Sequence, residues 1–166
     1  MQLRQLKNAG SFIARVLSVK PSAEYQGVVY DQIVALETEG GTRISLFDPR
    51  CLATSKHIGS KFRVFVAILE GLTDPRPNPK RKYGFEQKYD KNAIVMGKII
   101  SLEEDKSSII PIPKGRRLGV ISTGDARFYF GTRKKNLKPG QYVTFGEENG
   151  RLIELLAIRP VRPPKK

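Results

Sequence analysis

Ile58-Gly59-Ser60-Lys61-Phe62-Arg63-Val64 reads again as Pro139-Gly140-Gln141-Tyr142-Val143-Thr144-Phe145. Two further matches lie upstream in the same order. Ala14-Arg15-Val16-Leu17-Ser18-Val19 reads again as Gly97-Lys98-Ile99-Ile100-Ser101-Leu102. Thr38-Glu39-Gly40-Gly41-Thr42-Arg43, followed by Ile44-Ser45-Leu46, reads again as Thr123-Gly124-Asp125-Ala126-Arg127, followed by Phe128-Tyr129-Phe130. By difference of residue numbers the offsets are 81, 83 and 84. Three collinear matches at nearly one period mark a duplicated unit. Each copy holds roughly seventy residues, close to the lower limit for a core without staples.

Residues 11–20 are rich in β-branched and apolar side chains and end at Pro21, the pattern of a strand. Residues 28–37 read as a second strand, and Glu39-Gly40-Gly41 as a hairpin turn, because glycine accepts the positive φ such turns need. Residues 43–47 alternate, with Ile44 and Leu46 on one face. Asp48-Pro49-Arg50 breaks this strand, a short helical or irregular segment covers 51–58, and a further strand covers 61–69. The second half repeats the plan at 93–102, 117–123, 126–131, 142–147 and 152–158.

This is the strand order of an OB-type five-stranded barrel, whose closure removes exposed sheet edges. The expected fold is all-β: two tandem small OB-like five-stranded barrels, residues 1–72 and 93–161. A proline-rich basic linker (73–92) joins them, and a basic tail (162–166) follows. Pro75, Pro77 and Pro79 cannot donate to a ladder or continue a helix, so the linker is expected to be stiff and extended. In the tail, Pro160-Val161-Arg162-Pro163 fits a proline-helix ligand pattern.

The net charge is +14, and it is unevenly spread. Residues 1–72 carry +3, residues 73–112 carry +2 and residues 113–166 carry +9. A domain-level basic excess is the electrostatic footprint of a polyanion partner. The single cysteine, Cys51, excludes an internal disulfide, and with one histidine, His57, the usual zinc arrangements lack ligands. Nothing in the chain has the apolar length of a signal peptide or a membrane helix, so a soluble, cytoplasmic protein is expected.

The stretch from Ala93 to Val161 resembles the cold-shock domain, a nucleic-acid-binding member of the OB class. The resemblance rests on Arg117-Leu118-Gly119-Val120-Ile121, on Arg127-Phe128-Tyr129-Phe130, and most closely on Leu137-Lys138-Pro139-Gly140-Gln141-Tyr142-Val143-Thr144-Phe145. It covers about two-fifths of the chain directly and the first half only through the repeat. The resemblance implies exposed aromatics on the second strand, where bases stack for roughly 1–3 kcal/mol each. Those positions here are Leu118 and Val120. In the third strand, the repeat sets Phe128 and Phe130 inward with Ile44 and Leu46, leaving Arg127 and Tyr129 outward.

The expected nucleic-acid-binding residues are therefore Lys114, Arg116 and Arg117 before the second strand, Arg127 and Tyr129 on the third, and Arg133, Lys134 and Lys135 after it. Lys80, Arg81, Lys82 and Tyr83 of the linker interleave charge with an aromatic and are placed to clamp a strand. The expected partner is RNA or single-stranded DNA, bound electrostatically with little sequence readout, as by an RNA chaperone or a ribonucleoprotein subunit. The other reading is a protein-interaction module within a larger assembly. No cofactor is implied, and no enzyme is expected. Cys51 and His57 share one connector without a sequence-local catalytic pattern, and Glu103-Glu104-Asp105 reads as a solvated loop. No phosphate-binding glycine motif is present.

Overall fold

The structure is a computed structural model that describes residues 8–69, 75–89, 91–104, 117–146, 150–163 and 165. The described residues are all-β, with two 3-10 turns (Asn8–Gly10 and Ser55–His57) and no α-helix. The first half holds β1 (Ser11–Tyr25), β2 (Val28–Thr38), β3 (Arg43–Asp48) and β4 (Lys61–Ile68). The linker holds β5 (Arg76–Pro77) and β6 (Gly84–Tyr89). The second half holds β7 (Asn92–Glu104), β8 (Arg117–Ser122), β9 (Arg127–Thr132), β10 (Tyr142–Phe145) and β11 (Arg151–Pro160). No helix of the described residues is long and apolar enough to cross a membrane.

The repeat is visible in the hydrogen bonds. Arg15 pairs with Glu37 in the β1–β2 ladder, and Lys98 pairs with Ser122 in the β7–β8 ladder. Each ladder has a bulge just after this point, between Val16 and Ser18 in one and between Ile99 and Ser101 in the other. Gly59 N donates to Val16 O at 2.8 Å, and Val16 N donates to Ser60 O at 3.1 Å. In the second half Gly140 N donates to Ile99 O at 2.7 Å, and Ile99 N to Gln141 O at 2.8 Å. Both glycines have positive φ, +88° and +92°, a conformation that costs other residues a steric clash at Cβ.

The expected partition of strands between two tandem halves does not appear in the pairing. All eleven strands belong to one sheet. β11, from the second half, pairs along seven rungs with β4 of the first half and lies parallel to β3. β4 in turn lies parallel to β9, through Ala67 and Tyr129. The pairings close two rings, β1-β2-β3-β11-β4 and β4-β9-β8-β7-β11, which share the β4–β11 ladder. Each half thus supplies one strand to the other's ring.

That exchange explains the run of five buried residues from Val64 to Ile68, since a strand covered on both faces has no polar side. Val64, Val66 and Ile68 enter the main core, which mixes both halves; the Phe12 and Phe128 rings lie 6.1 Å apart within it. Phe65 and Ala67 face a second cluster with Val120, Tyr129, Leu156 and Ala157. Each of the larger of these side chains contributes about 1.5–3 kcal/mol by burial, so each half is expected to depend on the other for its core. The hairpin turns also meet: the hydroxyls of Thr38 and Thr42 donate to Asp125 Oδ2 at 2.6 and 2.7 Å.

Two regions, β1 and the linker, differ from the sequence expectation. β1 runs past Pro21 to Tyr25, because beyond Val16 its neighbour within the sheet is β2 alone and an edge tolerates a residue without an N–H. The linker, expected as a stiff, extended connector between the halves, also joins the sheet, adding β5 to the edge of β10 and β6 to β7.

Candidate nucleic-acid interface

The linker folds over the second half through one buried side chain. Asn78 Nδ2 donates to Lys82 O at 2.9 Å, its Oδ1 accepts from Lys82 N at 3.4 Å, and its carbonyl accepts from Arg81 N at 3.0 Å. An asparagine that bonds its own following backbone replaces a turn's main-chain bond. Arg81 completes the turn at φ +50°. Asn78 N also donates to Tyr142 O at 3.0 Å, which carries the β5–β10 pairing into the turn. The result holds Lys80, Arg81 and Lys82 exposed on a fixed loop.

Beneath this loop lies a cleft of about 640 Å³. Arg81 borders it on the linker side, and Lys98, Lys134 and Tyr142 border it on the other. Among the described residues that line it there is no carboxylate. Tyr83 and Tyr142 meet edge to face, with centroids 5.5 Å apart and hydroxyl oxygens at 3.3 Å. That shared hydrogen bond pushes the Tyr83 hydroxyl above its ordinary pKa. Lys134 Nζ donates to Pro75 O at 3.4 Å and so reaches the linker.

The cleft wall is braced by Arg117. Its guanidinium donates to the carbonyls of Lys134 and, at 3.2 Å, Leu137, tying β8 to the loop after β9. Arg117 therefore positions the loop, and its hydrogen bonds point into the protein. Arg133 and Lys135 are exposed on the same loop. Arg127 is exposed as expected, but its guanidinium donates to Ala9 O at 2.7 Å, beside the N-terminal 3-10 turn. Lys114 and Arg116 lie outside the described residues.

Tyr129 requires a correction. Phe128 and Phe130 are buried as the repeat implies, yet Tyr129, expected outward, is only 3 % exposed. The reason is the exchanged strand. β4 lies beside β9, so Phe65 stacks against the tyrosine ring at 6.3 Å, and the 3-10 turn closes over it. A Cβ on Gly10 would fall 2.2 Å from the ring. Burial pushes the Tyr129 hydroxyl up to about 12, despite a hydrogen bond with the Gly10 backbone. Val120 is buried and Leu118 half-buried in the same cluster, so no stacking platform and no exposed apolar patch exists at these positions.

The structure thus unites Arg81, Lys134 and Tyr83 of the expected residues, with Lys80, Lys82, Arg133 and Lys135 around them. It adds Lys98 and Tyr142, which sequence reasoning missed although both stand in the repeats. Lys98 pairs with Tyr142 across β7 and β10. Alternation along Tyr142-Val143-Thr144-Phe145, with Val143 and Phe145 buried, was the available signal for an outward Tyr142.

The other chemically notable side chains have structural work. His57 Nδ1 accepts from Thr54 N at 2.9 Å, and its ring packs edge-on against Phe62. Cys51 sits at φ +51°, and desolvation, with Asp48 and Asp31 nearby, pushes its thiol up. Among the described residues no group of three or more histidine, cysteine or acidic side chains is arranged to hold a metal ion. Set against protein-family models, curated proteins and solved structures, the chain matches none.

Proposed function

We propose that this chain is a cytoplasmic protein that binds single-stranded nucleic acid, RNA or DNA, through the cleft under its linker. The observation that supports the reading is the cleft's composition: three cations, a tyrosine pair at its rim and no carboxylate among its described lining. Cations fixed this way release counterions from a phosphate backbone, and tyrosine offers a face to any base. None of these groups forms the paired donor and acceptor pattern that reads a base edge, so binding has little sequence preference. The role is that of an RNA chaperone or ribonucleoprotein subunit, occupying the strand without acting on it as an enzyme.

The same reading takes the two closed rings as OB-type barrels that share their last strands. It moves the ligand of the cold-shock resemblance from the β8–β9 face, which is covered, to the β10 edge and the linker.

Fluorescence anisotropy with a single-stranded RNA, the matching DNA and a duplex, each across a salt series, tests this. Neutralisation by Arg81, Lys98 and Lys134 alone gives a log–log salt slope of about −2 for a single strand, or about 15-fold weaker binding from 50 to 200 mM salt. The surrounding lysines and arginines steepen it. Weak binding with no salt dependence for all three probes contradicts the proposal.

A further inference from the structure

The first half ends in a finger. Beyond Val16 on β1 and before Gln32 on β2, the two strands pair only with each other, and their tip carries Tyr25, Val28 and Tyr30 exposed by 65, 54 and 58 %. Tyr25 and Val28 form the last rung. The turn between them, Gln26-Gly27, has both φ positive, +50° and +77°, as in the hairpin turn that matches strand twist. The tip is therefore a fixed surface, and tyrosines present large contact area at low entropic cost. Its charge is opposite to that of the chain: residues 17–32 hold Lys20, Glu24 and Asp31, a net −1 against +14 overall. Asp31 Oδ1 is buried without a hydrogen-bond partner. Negative charge disfavours a nucleic-acid strand here and favours a basic, apolar peptide.

The chain carries such a segment. From the last residue of β11 onward, Pro160-Val161-Arg162-Pro163 is exposed, with Val161 at 40 %. Proline-rich PxxP segments enter aromatic-lined grooves as preformed extended helices, and a basic residue beside them pairs with acidic rims.

The segment cannot reach the finger of its own chain. β11 is antiparallel to β4, and β4 to β1, so β11 and β1 run the same way; Pro160 pairs with Phe62, and Phe62 with Ala14. Tyr25 lies eleven residues beyond Ala14, about 36 Å along a strand. Val161 and Arg162 advance only about 7 Å past that level.

We propose that the β1–β2 tip, around Tyr25, Val28 and Tyr30, docks Pro160-Val161-Arg162-Pro163 of a second copy of this chain, with Arg162 facing Glu24 and Asp31. The contact joins two different surfaces, so it has no need to close and grows with concentration. It does not rest on the nucleic-acid reading.

Sedimentation of nuclease-treated full-length protein from about 10 µM to about 1 mM, the range of weak interfaces, is the first test. The weight-average mass is expected to rise with concentration, to fall back for Arg162→Glu, and to recover when Glu24→Lys is added. A labelled synthetic peptide of residues 158–166 is expected to bind the wild-type chain and to bind the Tyr25→Ser/Tyr30→Ser variant at least about tenfold more weakly. Circular dichroism checks that these exposed substitutions leave the fold intact. A monomer over the whole range, or equal peptide binding by wild type and variant, overturns the proposal. So does Tyr25→Ser/Tyr30→Ser weakening single-stranded RNA binding instead of self-association.

Discussion

The two halves share their ladders and turns but not their surfaces. Arg15 with Glu37 and Lys98 with Ser122 occupy matching rungs, and Gly59 and Gly140 make the same pair of backbone bonds. Outside those bonds the halves diverge. In the first, β4 runs from Lys61 to Ile68, whereas β10, which matches its start, spans only Tyr142–Phe145. The first ends in an apolar, weakly acidic finger; the second carries the linker and its basic cleft. A repeat fixes what backbone geometry demands, while the outward side chains are free to take different work.

The largest expected effect follows from the strand exchange. Removing β11 by truncation after Gly150 takes Ile153, Leu155, Leu156 and Ala157 from both clusters. At about 2–5 kcal/mol for each of the three large side chains, this alone matches the roughly 5–15 kcal/mol that holds a small protein folded, before the lost β4–β11 ladder is added. Circular dichroism is expected to show both halves unfolded. A fragment in which the first half keeps its strand signal breaks the claim that the rings depend on each other.

Next come the matched glycines. Neither Gly59 nor Gly140 has an atom within 4 Å of an added Cβ, so the cost of alanine comes from φ alone. Gly59→Ala and Gly140→Ala should each lose about 1–2 kcal/mol in urea unfolding. Unequal losses would mean that the two turns are not equivalent.

Alkaline pH separates the halves further. Ser45 stands in the first half where Tyr129 stands in the second, by the repeat. The folded Tyr129 hydroxyl is raised to about 12, whereas an unfolded tyrosine ionises near 10. The neutral form is the one the fold favours, so this contribution is complete below pH 10 and is lost as pH rises from about 10 through 12. Tyr129→Phe should hold its stability further into alkali than wild type. An identical alkaline midpoint for both proteins would show that Tyr129 is not the group responsible.

Much of the β pattern was legible because alternation and glycine turns are local. Ile44, Leu46, Phe128 and Phe130 were all placed inward by one argument and are buried. Tyr129 was misplaced because the same argument assumed that the opposite face meets water. Whether a face is covered depends on which strand lies beside it, and β4 comes from sixty residues away in sequence. The cleft was half legible. Lys80, Arg81, Lys82 and Tyr83 stood out by composition, but their proximity to Lys98 and Tyr142 depends on Asn78 and on β5 adding to β10. Prolines at 75, 77 and 79 point to a stiff, extended linker, and extended residues at an edge also make a short strand.

The most direct test sets one half against the other. Arg81→Glu/Lys98→Glu reverses two cations of the cleft, and Lys56→Glu/Lys61→Glu reverses two exposed lysines of the first half, an equal change of net charge. Affinity for single-stranded RNA is then measured across a salt series for both proteins and wild type. The cleft variant is predicted to lose most of its binding and to flatten the salt slope by about 1–2, while the first-half variant stays close to wild type. Equal losses in the two variants would mean that the basic charge acts as a diffuse field, and that the cleft under the linker is not the binding site.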